Sequence, residues 1–339
     1  MRLSDKPAPR LSKNRTMLLP IAALLVGLLL LIWSADRFVD GASVTASHRG
    51  VPPLLVGMVV VGFGTSAPEM AVSVLATSQG NPSLALGNAW GSNIVNMGLI
   101  LGVTALIAPI RVRSRVLRKE LPLLIAATGL TALLAWDLGL SRLDAAVLLG
   151  AFVLLVGWSI REALGHGDDA LALETRFELD SKAMPPSHAL LWLVLGLLVL
   201  VGSSRLLVWG AVEIAQGLGI SDLVIGLTVL AIGTSLPELA SCVAAARKGE
   251  DDIALGNVLG ACLFNSLAVV GLAGAIAPMD LEPAALTREL PVMMGLALLL
   301  FLMGRGWRGA GRINRWEAGA LLAVYLAYTV WLLWTMGPR

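Results

Sequence analysis

"GTSAPE" at residues 64–69 and "GTSLPE" at residues 233–238 decide the fold of this chain. Each puts two hydroxyls, a proline and a glutamate into apolar surroundings, the first within the run from Val51 to Ala76. An ionised carboxylate at membrane depth costs roughly 3 kcal/mol or more unless it is compensated. A chain that accepts this cost twice has a use for it.

The two motifs belong to a repeat. An offset of 169 residues superposes the halves without a gap: Gly41-Ala42 falls on Gly210-Ala211, and Leu86-Gly87-Asn88 on Leu255-Gly256-Asn257. Asn96 falls on Asn265, and Glu120-Leu121-Pro122 on Glu289-Leu290-Pro291. Between 64–102 and 233–271, 16 of 39 positions are identical. Shared hydrophobicity matches apolar letters, but not polar residues and glycines in register, so this is an internal duplication.

Only 14% of the 339 residues are charged and 57% are hydrophobic, with a mean hydropathy of +0.81. A soluble chain carries about 25% charged residues. Apolar runs suited to crossing a bilayer recur at Met17–Trp33, Leu121–Trp136, Ala145–Ile160, Ala189–Val201 and Leu290–Met303. The class is an all-α polytopic membrane protein. The first run follows basic residues as a secretory signal does, but "WSADRFVDGA" after it is matched later in the chain, so it is read as a retained helix. Cys242 and Cys262 fall in apolar segments and read as small fillers, not as a disulfide framework. The net charge of +2 implies no particular partner, and no basic-aromatic pattern points to nucleic acid.

Each half divides into five spans: 17–36, 52–79, 82–109, 119–136 and 141–162, then 189–217, 221–246, 252–278, 287–304 and 314–336. An odd number of spans per copy turns the second copy over in the membrane. Inverted repeats of this kind are a transporter architecture with the site at the midplane between the copies. The expected organisation is a tail at 1–16, a first repeat at 17–162, a linker at 163–188 and a second repeat at 189–339. Loops after odd spans, with Arg37 among them, carry 16 of the Lys and Arg residues against 8 on the other side, five of those in the tail. The loops place both termini outside and the linker in the cytoplasm, although the basic tail argues the reverse. The linker contains Asp168, Asp169, Glu174, Glu178 and Asp180. It reads as a solvated connection, because a calcium sensor needs a shaped set of oxygens. The tryptophans lie mostly near span ends and form the usual interfacial belt.

Thr65 and Ser66 precede Glu69 by four and three residues, so all three share one helical face; Thr234, Ser235 and Glu238 repeat the arrangement. Pro68 and Pro237 cannot donate an amide, which frees the carbonyls of Gly64 and Gly233. Such irregular backbone is tolerated at membrane depth only where it is buried in protein or lines a cavity. Ser92 and Asn96, four apart, add a second set near Gly87 and Gly91, which allow close helix approach. Asn265 matches Asn96, but Ala261 stands where Ser92 stood. A single Ser/Thr pair in a membrane helix usually bonds back to its own backbone. Two matching sets, each with a carboxylate and a proline, argue for a site. Two carboxylates with amide, hydroxyl and carbonyl oxygens suit a hard divalent cation, Ca2+ best. Mg2+ dehydrates reluctantly, and Zn2+ would recruit imidazole or thiolate. Na+ also prefers oxygen.

With "GTSAPE…LGNAWGSNIVN" and "GTSLPE…LGNVLGACLFN" the chain resembles the cation/calcium exchangers, and among them the bacterial and archaeal sodium/calcium antiporters. The resemblance covers nearly the whole chain. It implies a ten-helix fold that exchanges Na+ for Ca2+ by alternating access in the inner membrane, with the ions as substrates and no cofactor or obligate protein partner. The family's ion ligands fall on Thr65, Ser66, Glu69, Ser92, Asn96, Thr234, Ser235, Glu238 and Asn265, with carbonyl ligands near Gly62 and Ala231. Two positions depart from the pattern of many relatives. Ala261 replaces a serine and removes one hydroxyl from the Na+ ligand set. Asn265 replaces an aspartate, lowers the site's negative charge and speaks against potassium dependence.

The rival readings are a proton/calcium exchanger using Glu69 or Glu238, an ion channel, and an intramembrane serine hydrolase. The hydroxyl pairs favour Na+ over a proton, which needs no coordination shell. A closed, charged cage between inverted repeats favours alternating access over a channel. No His or Lys accompanies Ser66 or Ser235 to activate a nucleophile, so no enzyme is expected.

Overall fold

The computed structural model describes residues 13–49, 66–112, 116–165, 184–249, 251–305 and 311–335. Thr65, Gly62, the Gly64 carbonyl, most of the N-terminal tail, the first part of the second span and most of the linker lie outside the described residues.

Ten helical segments follow one another among the described residues. The first half comprises α1 (Lys13–His48), α2 (Ala67–Ser78) and α3 (Pro82–Ile107, π-helical at Val95–Ile100). It continues with α4 (a π turn at Val116–Glu120, then Leu121–Leu134) and α5 (Arg142–Gly165). The second half has α6 (Pro186–Leu218) and the broken helix α7 (Asp222–Thr234, then Leu236–Lys248). After it come α8 (Asp251–Phe264, π-helical at Asn265–Val269, then Val270–Ile276), α9 (Ala285–Arg305, opening on a π turn at Ala285–Glu289) and α10 (Arg315–Thr335). Seven of these helices are long and apolar enough to cross a membrane, and α7 counted as one span makes eight. The π turns that open α4 and α9 begin 169 residues apart, as do α3 and α8. The duplication in sequence is a duplication of backbone.

Four two-residue strands show how the copies are related. β1 (Ile110–Arg111) follows α3, β2 (Gly139–Leu140) follows α4, β3 (Met279–Asp280) follows α8 and β4 (Arg312–Ile313) follows α9. β1 pairs antiparallel with β4, Ile110 opposite Ile313; β2 pairs with β3, Leu140 opposite Met279. Six helices separate the first pair and four the second, so each pairing joins loops on one side of the membrane. β1 and β3 are the repeat-related strands, and an odd number of helices, α4 to α8, lies between them. They are therefore on opposite sides, and the five-helix repeats are inverted.

The burial pattern is that of a protein in lipid. Leu29, Leu154 and Val330 are 66–74% exposed on the outer surface, whereas Ser66, Glu69, Asn88, Asn96, Glu238 and Asn265 are buried within it. α1 packs along α6, with the Trp33 and Trp192 rings edge to face at 6.0 Å. Arg37, read from sequence as a loop residue, lies inside α1 with its guanidinium 5.2 Å from the centre of the Trp192 ring. The helix runs about three turns beyond the expected end at residue 36. A charged group does not stop a helix when its stem lies along apolar surface and its head finds an aromatic face. Trp90 also departs from the belt, being 1% exposed in the interior of α3.

Close approach of α3 to α7 sets the position of the site. A Cβ on Gly226 would lie 2.6 Å from the Leu84 carbonyl oxygen and 2.9 Å from the Asn88 nitrogen. A Cβ on Gly91 would lie 2.7 Å from Leu227 Cα. Only glycine allows the two backbones to meet there. The turns into α3 and α8 close through Gly80 and Gly249, with φ of 85° and 78°, a region that other residues enter at a cost.

Candidate functional site

Both glutamates stand in the first turn of a helix that starts inside the protein. Ser66 (φ −88°, ψ 3°) and Ser235 (φ −87°, ψ 9°) hold the same bridge conformation immediately before those helices. Pro68 and Pro237 occupy the first turn, where a missing amide breaks no helical hydrogen bond. In α7 the break bends the helix by 44°. Glu69 and Glu238 therefore sit at the positive end of a helix dipole, which favours negative charge. The Ala231 carbonyl accepts from the Ser235 amide at 3.2 Å and closes the turn before the break.

The two repeats meet at Glu69. Ser235 Oγ donates to Glu69 Oε1 at 3.2 Å. Thr234 Oγ1 donates to Leu230 O at 3.0 Å and reaches Asn88 Oδ1 at 3.2 Å. Asn88 Nδ2 in turn donates to the Glu69 carbonyl at 3.3 Å and to Ser73 Oγ at 3.2 Å. Asn88 thus ties α2, α3 and α7 together behind the carboxylate. A second tie crosses between α3 and α8, where Asn93 Nδ2 donates to Ser266 Oγ at 2.8 Å.

Of the residues singled out from sequence, Ser66, Glu69, Ser92, Asn96, Thr234, Ser235, Glu238 and Asn265 are all buried, as is Ala231. A direct bond joins Ser235 to Glu69, and Asn88 links Thr234 to the Glu69 carbonyl. Ser92 and Asn96 lie on α3, and Asn265 on α8, packed against α3. Asn96 and Asn265 both lie in π-helical stretches, a backbone irregularity frequent at functional sites. Ser66 Oγ, Glu69 Oε2, Ser92 Oγ and the amide groups of Asn96 and Asn265 have no hydrogen-bond partner among the described residues. A buried polar group without a partner costs about 1–3 kcal/mol. Buried oxygens left in this state are suited to a cation. The described residues contain no cluster of three or more His, Cys, Asp or Glu, so the donor set is two carboxylates with neutral oxygens.

Sequence reasoning missed Asn88, Ser73, Asn93 and Ser266. Asn88 had a signal in its identity with Asn257 across the repeat. Asn93 and Ser266 had none, because their repeat mates are Cys262 and Met97. Both cysteines are free and buried, with Cys242 Sγ 3.5 Å from the Ala254 carbonyl oxygen and Cys262 Sγ 3.9 Å from that of Asn93.

The model of the sodium/calcium exchanger protein family matches residues 19–161 and 188–334. CaxA of Alkalimonas amylolytica is 48% identical over 316 residues, covering 92% of this chain and 98% of that protein. Inner membrane protein YrbG of Escherichia coli K12 is 42% identical over 323 residues, covering 93% and 98%. Sodium/calcium exchanger MaX1 of Methanosarcina acetivorans is 32% identical over 345 residues, covering 92% and 97%. A solved structure of the sodium-calcium exchanger NCX_Mj, soaked with 2.5 mM Na+ and 0.1 mM Ca2+, superposes with a TM-score of 0.62 at 31% identity, covering 93% of this chain and 98% of that one.

Proposed function

The chain belongs to the sodium/calcium exchanger protein family, and from that premise we propose that it is a secondary antiporter exchanging Ca2+ for Na+ across the bacterial inner membrane. The ions bind at the midplane between the repeats, 17–162 and 189–339, and alternating access carries them across. The 163–188 linker faces the cytoplasm and both termini face outside. Ca2+ and Na+ are substrates, and the protein carries out no chemical conversion.

Glu69 and Glu238 neutralise Ca2+ in this reading. Ser66, Ser92, Asn96, Thr234, Ser235 and Asn265 complete its shell and serve Na+ in the return step, with Thr65 and the carbonyls near Gly62 and Ala231. The observation that carries the proposal is the bond from Ser235 to Glu69, which puts the hydroxyl set of one repeat on the carboxylate of the other. A cation held there touches both halves, so a movement of one against the other changes its access. Six to eight flexible oxygens are what Ca2+ takes, and the hydroxyls and amides among them also suit Na+.

The test is uptake of radiolabelled Ca2+ into proteoliposomes holding the purified protein. An imposed Na+ gradient should drive uptake against the Ca2+ gradient. Uptake that follows a pH gradient alone would replace Na+ by the proton. Flux that runs only down the Ca2+ gradient, whatever the Na+ or proton gradient, would make the protein a channel.

A further inference from the structure

A cavity of about 410 Å3 opens on the membrane side where α6 and α10 end and α7 and α9 begin. Small-molecule sites span roughly 300–1,000 Å3. Its polar walls are Ser221 before α7, Glu282 before α9, Thr287 and Arg288 in the opening turn of α9, and Trp331 and Thr335 near the end of α10. Leu218 and Leu333, in the same helix ends, are 63% and 54% exposed, so the cavity lies at the edge of the hydrocarbon. Arg288 is only 7% exposed. Its Nε and Nη2 meet Glu289 Oε1 at 2.7 and 2.6 Å, and its Nη1 donates to Thr335 Oγ1 at 2.8 Å. Each terminal nitrogen of a guanidinium carries two N–H groups, so one is left on each, a pair of the kind that binds phosphate oxygens. The Ser221 hydroxyl makes no cap bond to α7, and the positive ends of α7 and α9 flank the cavity. A plain anion is nevertheless opposed. Glu289 already balances Arg288, and Glu282 adds an exposed carboxylate with no ion-pair partner among the described residues. Thr287 Oγ1 donates to the Pro283 carbonyl at 3.1 Å, which leaves its oxygen as an acceptor, and Trp331 offers a ring to a cation. The first repeat lacks this arrangement: Lys119 stands at the position of Arg288 and lies 5.6 Å from the centre of the Trp158 ring.

A ligand that satisfies both ends of this cavity carries an anionic and a cationic group a few bonds apart. We propose that the cavity binds the head of an aminophospholipid, a phosphate ester bearing a primary ammonium, as in phosphatidylethanolamine. The phosphate accepts from the remaining N–H groups of Arg288 and from the Ser221 hydroxyl. The ammonium donates to Glu282 and Thr287 beside the Trp331 ring. The acyl chains lie along the apolar surface at Leu218 and Leu333. The same head exists free in solution as phosphoethanolamine, and the position at the hydrocarbon edge favours the bilayer as its source. A lipid held there ties the start of α7 to α9 and α10. The site shares no residue with the ion cage and does not rest on the exchanger reading.

The test is native mass spectrometry of the delipidated full-length protein in detergent, titrated with short-chain phosphatidylethanolamine, phosphatidylglycerol or free phosphoethanolamine. The wild type should bind one phosphatidylethanolamine about tenfold more tightly than phosphatidylglycerol, which has the phosphate but no ammonium. Glu282→Gln should weaken phosphatidylethanolamine about tenfold and Ser221→Ala about fivefold, the scale of a charged and a neutral hydrogen bond. Both positions are exposed, so both variants should unfold at the wild-type temperature when no lipid is present. Arg288→Lys keeps the charge, loses the paired N–H groups and should weaken both lipids. Phosphatidylethanolamine should raise the unfolding midpoint of the wild type and not that of Glu282→Gln. Equal binding of the two lipids, or binding that all three variants leave unchanged, overturns the proposal. Phosphoethanolamine that displaces the lipid at equal concentration would overturn the bilayer as the source.

Discussion

Glu69 is held from two directions, its carboxylate by Ser235 of the opposite repeat and its carbonyl by Asn88. A divalent cation beside one carboxylate is under-neutralised in a low-dielectric interior. Glu69→Gln and Glu238→Gln should each lower Ca2+ exchange more than about a hundredfold, on the scale of 3–5 kcal/mol for breaking a buried ion pair. Robust uptake in either variant would remove that glutamate from the site. Asn88→Ala removes the donor to the Glu69 carbonyl and to Ser73 Oγ, and should cost about 1–3 kcal/mol. A thermal unfolding midpoint equal to that of the wild type would show that the tie is unimportant. At the asymmetric pair, Ser92→Ala should weaken the Na+ dependence of Ca2+ flux more than it weakens Ca2+ affinity, and Ala261→Ser should strengthen the Na+ dependence; an unchanged dependence in Ser92→Ala would make that hydroxyl a packing group. The glutamates and their hydroxyls were legible because they recur in register. Asn88 recurs too, but a lone asparagine among glycines has no spacing that marks it as a strut. Asn93 and Ser266 escaped because a contact between unlike positions is invisible to a search for likeness.

At the scale of the element, proline foretold the break in α7, and Ser66 and Ser235 share one conformation before Pro68 and Pro237. The π stretches were not legible, since one extra residue in a helical turn leaves the hydrophobic pattern almost unaltered. The length of α1 was misjudged because Arg37 looked like the end of an apolar run until Trp192 came to lie beneath it. Contact between α3 and α7 depends on bare backbone. Gly226→Ala should push the helices apart, destabilise the protein by about 1–3 kcal/mol as overpacking does, and shift Thr234 away from Asn88. The midpoint of thermal unfolding in detergent and the rate of Ca2+ uptake should fall together; an unaffected variant would mean that α3 and α7 are not in backbone contact.

At the scale of the whole molecule, the odd number of spans was enough to foresee the inversion, while the strand pairs that accord with it are too short to leave a pattern. Arg111 of β1 and Asp280 of β3 are both exposed and belong to opposite sides. In a chain with Cys242 and Cys262 replaced, Asp280→Cys should react with an impermeant thiol reagent added to intact cells, and Arg111→Cys only after the membrane is opened. Labelling of both from one side would contradict the inverted arrangement, and reversed sides would show that the basic tail outweighs the loops. The strand pairs also bear on how such a chain is made. Ile110 and Arg111 emerge early in synthesis, long before Arg312 and Ile313, the residues that complete their hydrogen bonds. The first half thus enters the bilayer with an open seam, fastened only when a loop from the late part of the second half arrives. Assembly is completed across the halves rather than within each in turn.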